Sequence, residues 1–234
     1  MKVAFRADLQ ARLLQRYKRF FADVELATGR RLTVHCPNPG SMRGLPQAGA
    51  AVRCSTSDNP RRKLRHTLEM IRMGRAWVGI NTLRANAVAA LALRAGRVPG
   101  LAGYRHLRRE VRVGHSRLDF VLEDHAAGEP DTYLEVKSVT LAEGVRARFP
   151  DSVTERGRRH AELLGELAAR GRRCALLFVV QRADCECVEP ADDIDPAYGA
   201  ALRQAVQRGT RVRAIRARVL PTGIRVECPL PVRL

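Results

Sequence analysis

The sequence predicts a mixed α/β chain of two modules, a small β-barrel followed by a larger α/β domain. Three observations carry this expectation. Basic charge is concentrated at one end: residues 1–85 hold 17 Lys+Arg against 5 Asp+Glu, and residues 86–234 hold 25 against 19. The first 85 residues break into short alternating runs punctuated by turn residues, as a compact all-β module does. The rest switches between helical and strand periodicity in the order helix, three strands, helix, strand, which is an α/β pattern.

In the first module, Phe20 to Leu26 is one expected strand, Thr28-Gly29 a turn, and Arg31 to Cys36 the return strand. The segment PNPGSM interrupts with two prolines and a glycine. Ala51 to Ser55 and Ala76 to Ile80 are further strands. Pattern points to a small barrel; an OB-type barrel is one solution among several.

In the second module, residues 86–95 form an Ala/Leu-rich helix, followed by strands near Leu107–Val113 and Arg117–Glu123. The turn Gly128-Glu129-Pro130-Asp131 leads into a strand over Thr132–Thr140. Ser152-Val153-Thr154-Glu155 reads as a capping box that opens a helix, with Ala161, Leu164, Leu167 and Ala168 on its apolar stripe and Gly171 at its end. Cys174 to Val180 is nearly all apolar, as a strand covered on both faces would be. Asp195-Pro196 caps a last helix that stops before Gly209, and a hairpin turning at Pro221-Thr222-Gly223 closes the pattern.

Composition narrows the function. The net charge is +18 and the pI about 11.0. Such an excess draws polyanions, of which nucleic acid is the commonest in the cytosol. No apolar run, Ala87 to Leu93 included, approaches the roughly 18 residues of a spanning helix. Charges in MKVAFRADLQAR occupy the place of a signal peptide's apolar stretch, so the expectation is a cytoplasmic protein with no membrane partner. The six cysteines include no C-x-x-C pair, which argues for reduced structural thiols rather than zinc.

Chemistry concentrates in SRLDF and YLEVKSVTL. Glu135 and Lys137 are two apart on one strand and therefore share a face. A hairpin between the strands can bring Asp119 beside them, uniting two carboxylates and an ammonium. Such carboxylates, with water and phosphate oxygens, suit Mg²⁺ or Mn²⁺, and a neighbouring lysine can orient water or stabilise charge on phosphorus. The competing reading is a cross-strand ion pair of no catalytic meaning. Apolar neighbours Phe120, Val121, Leu122, Leu134 and Val136 favour a covered central site. With only four lysines among the 42 basic residues, a lysine at 137 is itself informative.

Seven segments carry a resemblance to a known family: RYKRF (16–20), VHCPNPGSM (34–42), STSDNPRRK (55–63), VGINT (78–82), SRLDF (116–120), YLEVKSVTL (133–141) and FPDSVTERG (149–157). Over nearly its whole length the chain resembles the sugar fermentation stimulation protein A family. The resemblance implies an OB-like domain over residues 1–85 and a PD-(D/E)XK restriction-endonuclease-like α/β domain over 86–234. It further implies DNA binding, a regulatory role in sugar (maltose) use, and a site in which Asp119 and Glu135 hold the metal and Lys137 completes the catalytic set. Glu110, nine residues before Asp119, is an accessory acid candidate. The helix NAVAALALR departs from the pattern, because many such domains carry another acid there.

Candidate nucleic-acid contacts are Arg16, Lys18 and Arg19, interleaved with Tyr17 and Phe20; the run Arg61, Arg62, Lys63 and Arg65; and Arg156 with His160, four apart on one helix face. Each has a simpler reading, as barrel core for the aromatics and as solvated surface for the charges. Three functions stay open: a divalent-metal-dependent nuclease acting on DNA or RNA, a non-catalytic DNA-binding regulator retaining the fold, and, least favoured by the charge, a polyanion-binding scaffold with no nucleic-acid target. Metal dependence separates the first two. Oligomeric state is not readable.

Overall fold

The computed structural model describes residues 1–45 and 48–234. Strand β1 (Lys2–Ala4) is followed by β2 (Leu9–Tyr17), β3 (Phe21–Glu25), β4 (Arg31–His35), β5 (Ala51–Thr56), β6 (His66–Met73) and β7 (Ala76–Gly79). Strands β2 to β7 form one sheet in the order β4-β3-β2-β5-β6-β7, and a parallel β4–β6 contact at His35↔Thr67 closes five of them into a barrel. Leu13, Val24, Val34, Val52, Leu68 and Ile71 fill its interior. Closure removes the sheet edges that would otherwise be open to pairing.

The expected strands of this module lie within about a residue of β3, β4, β5 and β7. Strands β2 and β6 are additions. In β2 only Leu13 is fully buried, and the register slips between Leu13 and Gln15, which blurs the period of two. In β6 the alternation is hidden because Thr67 to Ile71 are all buried, Glu69 among them.

The second region runs α1 (Arg84–Arg94), β8 (Tyr104–Val113), β9 (Ser116–His125), β10 (Thr132–Val139), β11 (Ala142–Glu143), β12 (Arg146–Phe149), α2 (Glu155–Ala169), β13 (Arg173–Val180), β14 (Cys187–Pro190), α3 (Pro196–Gln207), β15 (Arg211–Leu220) and β16 (Gly223–Leu230). Its main sheet has the order β1-β16-β15-β13-β10-β9-β8. Composition could not place β1: residues 2–4 leave the barrel and pair with β16 on this sheet. One face packs on α1 through Phe120, Leu134, Val136 and Leu177; the other packs on α2 and α3 through Leu118, Leu176, Phe178 and Tyr198. Strand β13 lies between β10 and β15, and seven of its eight residues are buried, which explains its unbroken apolar run.

Helix α3 starts as expected, with Asp195 accepting from the Tyr198 amide and Pro196 at its first position. Helix α2 corrects the expected capping box. Thr154, not Ser152, is the N-cap, and its Oγ1 accepts from Gly157 N at 3.0 Å, so no glutamate returns the bond. A Cβ at 157 would lie 2.7 Å from Thr154 Cγ2, which is why a glycine stands there.

Barrel and sheet are docked through polar contacts. Gly79 N donates to Gln181 O at 2.8 Å, Thr82 Oγ1 to Pro37 O at 2.9 Å, and Met42 N to Asp151 Oδ2 at 2.9 Å. Gly40 sits so close to the Asp151 carboxylate that a Cβ would come within 2.6 Å of it. Among the described residues, no helix is long and apolar enough to cross a membrane.

Candidate functional site

Glu135 and Lys137 lie on β10, inside the main sheet, on the face covered by α2. Because they are two residues apart their side chains meet: Lys137 Nζ donates to Glu135 Oε1 at 2.6 Å. Helix α2 adds His160, whose Nδ1 donates to the same Oε1. The other carboxylate oxygen, Oε2, is buried and has no hydrogen-bond partner among the described residues. Glu135 is only 4% exposed. Burial acts to raise its pKa, but the Lys137 ammonium and the His160 bond outweigh it and hold the carboxyl below its ordinary value.

Asp119 reaches the site because β9 and β10 separate. Their ladder runs Thr132↔Leu122, Tyr133↔Val121 and Leu134↔Phe120. Beyond it the Val136 amide donates at 2.8 Å to Asp119 Oδ2, so a side chain replaces the strand partner. Asn86 on α1 donates to Oδ1 at 2.7 Å. Burial first, and then the negative charge of Glu135, push the Asp119 pKa up to about 6, against the pull of those hydrogen bonds and Lys137. The negative charge of Glu135 thus disfavours ionisation of Asp119, a condition that a nearby cation would relieve. Among the described residues no three of His, Cys, Asp and Glu form a complete ligand set, so any cation here would keep other ligands. The six cysteines are all free.

The structure sorts the remaining candidates. Glu110 faces solvent, pairs with Arg117 at 2.8 Å, and lines a cavity of about 290 Å³ together with Asp119, Asn86 and Thr82. It therefore borders the same cavity as Asp119. Arg156 is exposed and lines a second cavity, about 680 Å³, between the 38–41 loop of the barrel and residues 148–156. Arg19 lines the same cavity, as do Ser138 and Thr82, and Thr82 borders both cavities. Lys18 and Arg19 form the exposed tip of the β2–β3 hairpin at φ 46° and 61°. Tyr17 stacks on Phe21 rather than on Phe20, which is 46% exposed. Arg61, Arg62, Lys63 and Arg65 stand exposed on the β5–β6 loop, with Arg62 donating to Thr67 at 2.9 Å.

Two expected contacts are corrected. His160 is buried against Glu135 and does not share a surface with Arg156, because α2 turns that position inward between Gly157, Ala161 and Leu164. Arg16 is committed to the barrel: its guanidinium donates to the carbonyls of Arg19, Asn38, Gly40 and Ser41, bracing the PNPGSM loop. The residue that sequence reasoning missed outright is Asn86. Its only signal was a polar side chain opening an otherwise apolar helix.

Comparison with known proteins agrees with this architecture. Residues 14–80 match the SfsA N-terminal OB domain, and residues 83–223 match the Sugar fermentation stimulation protein RE domain. A sugar fermentation stimulation protein homolog of Halorhodospira halophila is 52% identical over 227 residues, covering 95% of this chain and 94% of that protein. The homolog of Alkalilimnicola ehrlichii is 51% identical over 225 residues, covering 94% of each. Among solved structures, Pyrococcus furiosus SfsA in complex with Ca²⁺ aligns over 100% of both chains with a TM-score of 0.88 and 27% identity. With barrel, sheet and both matched segments in the same order and near-complete coverage, the chain belongs to the sugar fermentation stimulation protein family.

Proposed function

We propose that the chain is a nucleic-acid-binding protein of the PD-(D/E)XK type whose Asp119–Glu135–Lys137 site hydrolyses phosphodiester bonds in a divalent-metal-dependent manner. The observation that carries this reading is the buried Glu135 Oε2, without a partner among the described residues, on a carboxylate whose charge is felt at a second one, Asp119. An unpartnered carboxylate oxygen in a dry site is costly, by about 1–3 kcal/mol or more, unless a ligand completes it. Asp119 and Glu135 would hold the ion, and two carboxylates suit Mg²⁺ or Mn²⁺, which keep water and substrate oxygens as other ligands. That Pyrococcus furiosus SfsA is described as a Ca²⁺ complex supports a hard cation.

When bound, the cation would supply Lewis-acid polarisation of a phosphoryl oxygen and a more acidic water. The chain's own residues do the rest. Asn86 and the Val136 amide hold Asp119 in one orientation. Lys137 carries an ammonium next to the carboxylates, where it can orient the attacking water or meet charge growing on phosphorus. Thr82 borders both the cavity beside Asp119 and the larger one lined by Arg19 and Arg156, so these are the basic groups that would meet a strand bound near the site. The +18 charge supplies sequence-tolerant affinity for DNA, and for RNA by the same electrostatics.

A second reading, a DNA-binding regulator of sugar use with no turnover, is favoured by one observation. Helix α1 offers Asn86 to Asp119 where an acid would add a ligand. The test is to incubate labelled single- and double-stranded DNA and RNA with the protein and Mg²⁺ or Mn²⁺. Cleavage that disappears in Glu135→Gln and Lys137→Ala supports the nuclease; metal and DNA binding with no cleavage of any substrate supports the regulator.

A further inference from the structure

We infer that His160 is a positioning residue for the metal-binding carboxylate, holding Glu135 Oε1 so that Oε2 is the oxygen presented to a cation. The inference rests on the metal-site reading and adds to it a residue from a different element. Its basis is the asymmetry of one carboxylate. Oε1 accepts from both Lys137 Nζ and His160 Nδ1, whereas Oε2, equally buried, accepts from no described residue.

His160 is suited to this in ways Lys137 is not. It is 4% exposed and sits on the side of α2 that buries Gly157 and Leu164, so water does not compete for its ring. Because its partner is a carboxylate, the imidazole must carry its proton on Nδ1, which sets the tautomer. Lys137 has a flexible stem, and its three donors allow it to turn toward a substrate. If Lys137 alone held Glu135, engaging a phosphate would free the carboxylate to rotate. With His160 holding Oε1, Lys137 can leave while Oε2 stays aimed. Groups that orient a metal-binding side chain from outside the ligand set commonly matter about 10–100-fold in affinity.

Binding of the metal alone tests this, independent of any catalysis. Mn²⁺ is titrated into wild type, His160→Asn, His160→Leu and Glu135→Gln, following free Mn²⁺ by its paramagnetic resonance signal and melting temperature in parallel. Asparagine can place an amide N–H close to the position of the imidazole Nδ1; leucine fills the space without a donor. Expected is a dissociation constant raised about 10–100-fold in His160→Leu, largely restored in His160→Asn, and no site at all in Glu135→Gln. His160→Leu titrating like wild type, or His160→Asn as weak as His160→Leu, would overturn the inference while leaving the metal site intact. Wild type that binds no Mn²⁺ overturns the metal-site reading itself, and this inference with it. Should His160→Leu not fold, His160→Gln takes its place: its donor reaches the position of Nε2, so binding as tight as in His160→Asn would refute positioning through Nδ1.

Discussion

Two buried glutamates, Glu69 in the barrel and Glu135 in the sheet, look alike in sequence and are held in different ways. Glu69 is 2% exposed and fully satisfied. Its Oε1 accepts from Ser55 at 2.7 Å and Arg84 Nη2 at 2.9 Å, and its Oε2 from Asn81 at 3.0 Å and Arg84 Nε at 3.3 Å. This carboxylate joins barrel strand β6 to the first turn of α1 and has no valence left over. Glu135 is as deeply buried, yet both its donors crowd one oxygen and none of the described residues reaches the other. A buried charge with every lone pair occupied is architecture; one with an open oxygen calls for a further partner, which under the proposed function is a cation.

The comparison breaks most visibly at Glu69. Removing one partner of a buried pair leaves the other uncompensated, so Glu69→Ala should cost about 3–5 kcal/mol. The loss should be the same with and without Mn²⁺, as urea unfolding would show. A cost that depends on metal would mean Glu69 is not purely structural.

Asp119 gives the native state a pH dependence of its own. Its pKa is raised from 3.8 to about 6 in the folded protein, so between those values the native state holds more protons than the unfolded one. Stability without metal should therefore fall as pH rises through that window, by up to about 3 kcal/mol for an unshared shift of this size. Chemical denaturation of wild type against Asp119→Asn, from pH 4 to 7, isolates the effect: the difference between the two curves should change across the window and then level. A constant difference would mean that Asp119 is not destabilised as its burial and its neighbour Glu135 imply.

Glu135→Gln should have its effect through the ligand. A cation at 100 times its dissociation constant stabilises the native state by about 2.7 kcal/mol. In Glu135→Gln this metal-dependent gain should vanish, while DNA binding measured in a chelator persists or tightens, since a charge facing the phosphates is gone. An undiminished thermal shift with Mn²⁺ would return Glu135 to the class of Glu69.

The smallest effect on the fold belongs to the barrel's exposed loop. Replacing Arg61, Arg62 and Lys63 together by Ala should change stability by no more than about 0.5 kcal/mol per site. DNA affinity should fall for all sequences alike, and the log–log salt slope should drop by up to about 0.9 per lost phosphate contact. Fluorescence anisotropy at several salt concentrations reads both. An unchanged slope would place the grip elsewhere on the surface.

What the sequence determined by itself is what short-range sterics and periodicity encode. The pleat put Glu135 and Lys137 on one face, Asp195-Pro196 marked the start of α3, and the apolar run over Cys174–Val180 announced a strand covered on both sides. The motif resemblance carried the barrel and the α/β domain in the right order. The tertiary structure decided what depends on distant segments meeting. Arg16 gave no sign that its guanidinium would be spent on four carbonyls of the 19–41 region. Asn86 is 33 residues from the Asp119 it orients, and His160 is 25 residues from the Glu135 it grips. Strand β1 crosses to a sheet whose partner strand lies more than two hundred residues on. Local pattern says which face of an element a residue occupies, but only packing says what stands opposite that face.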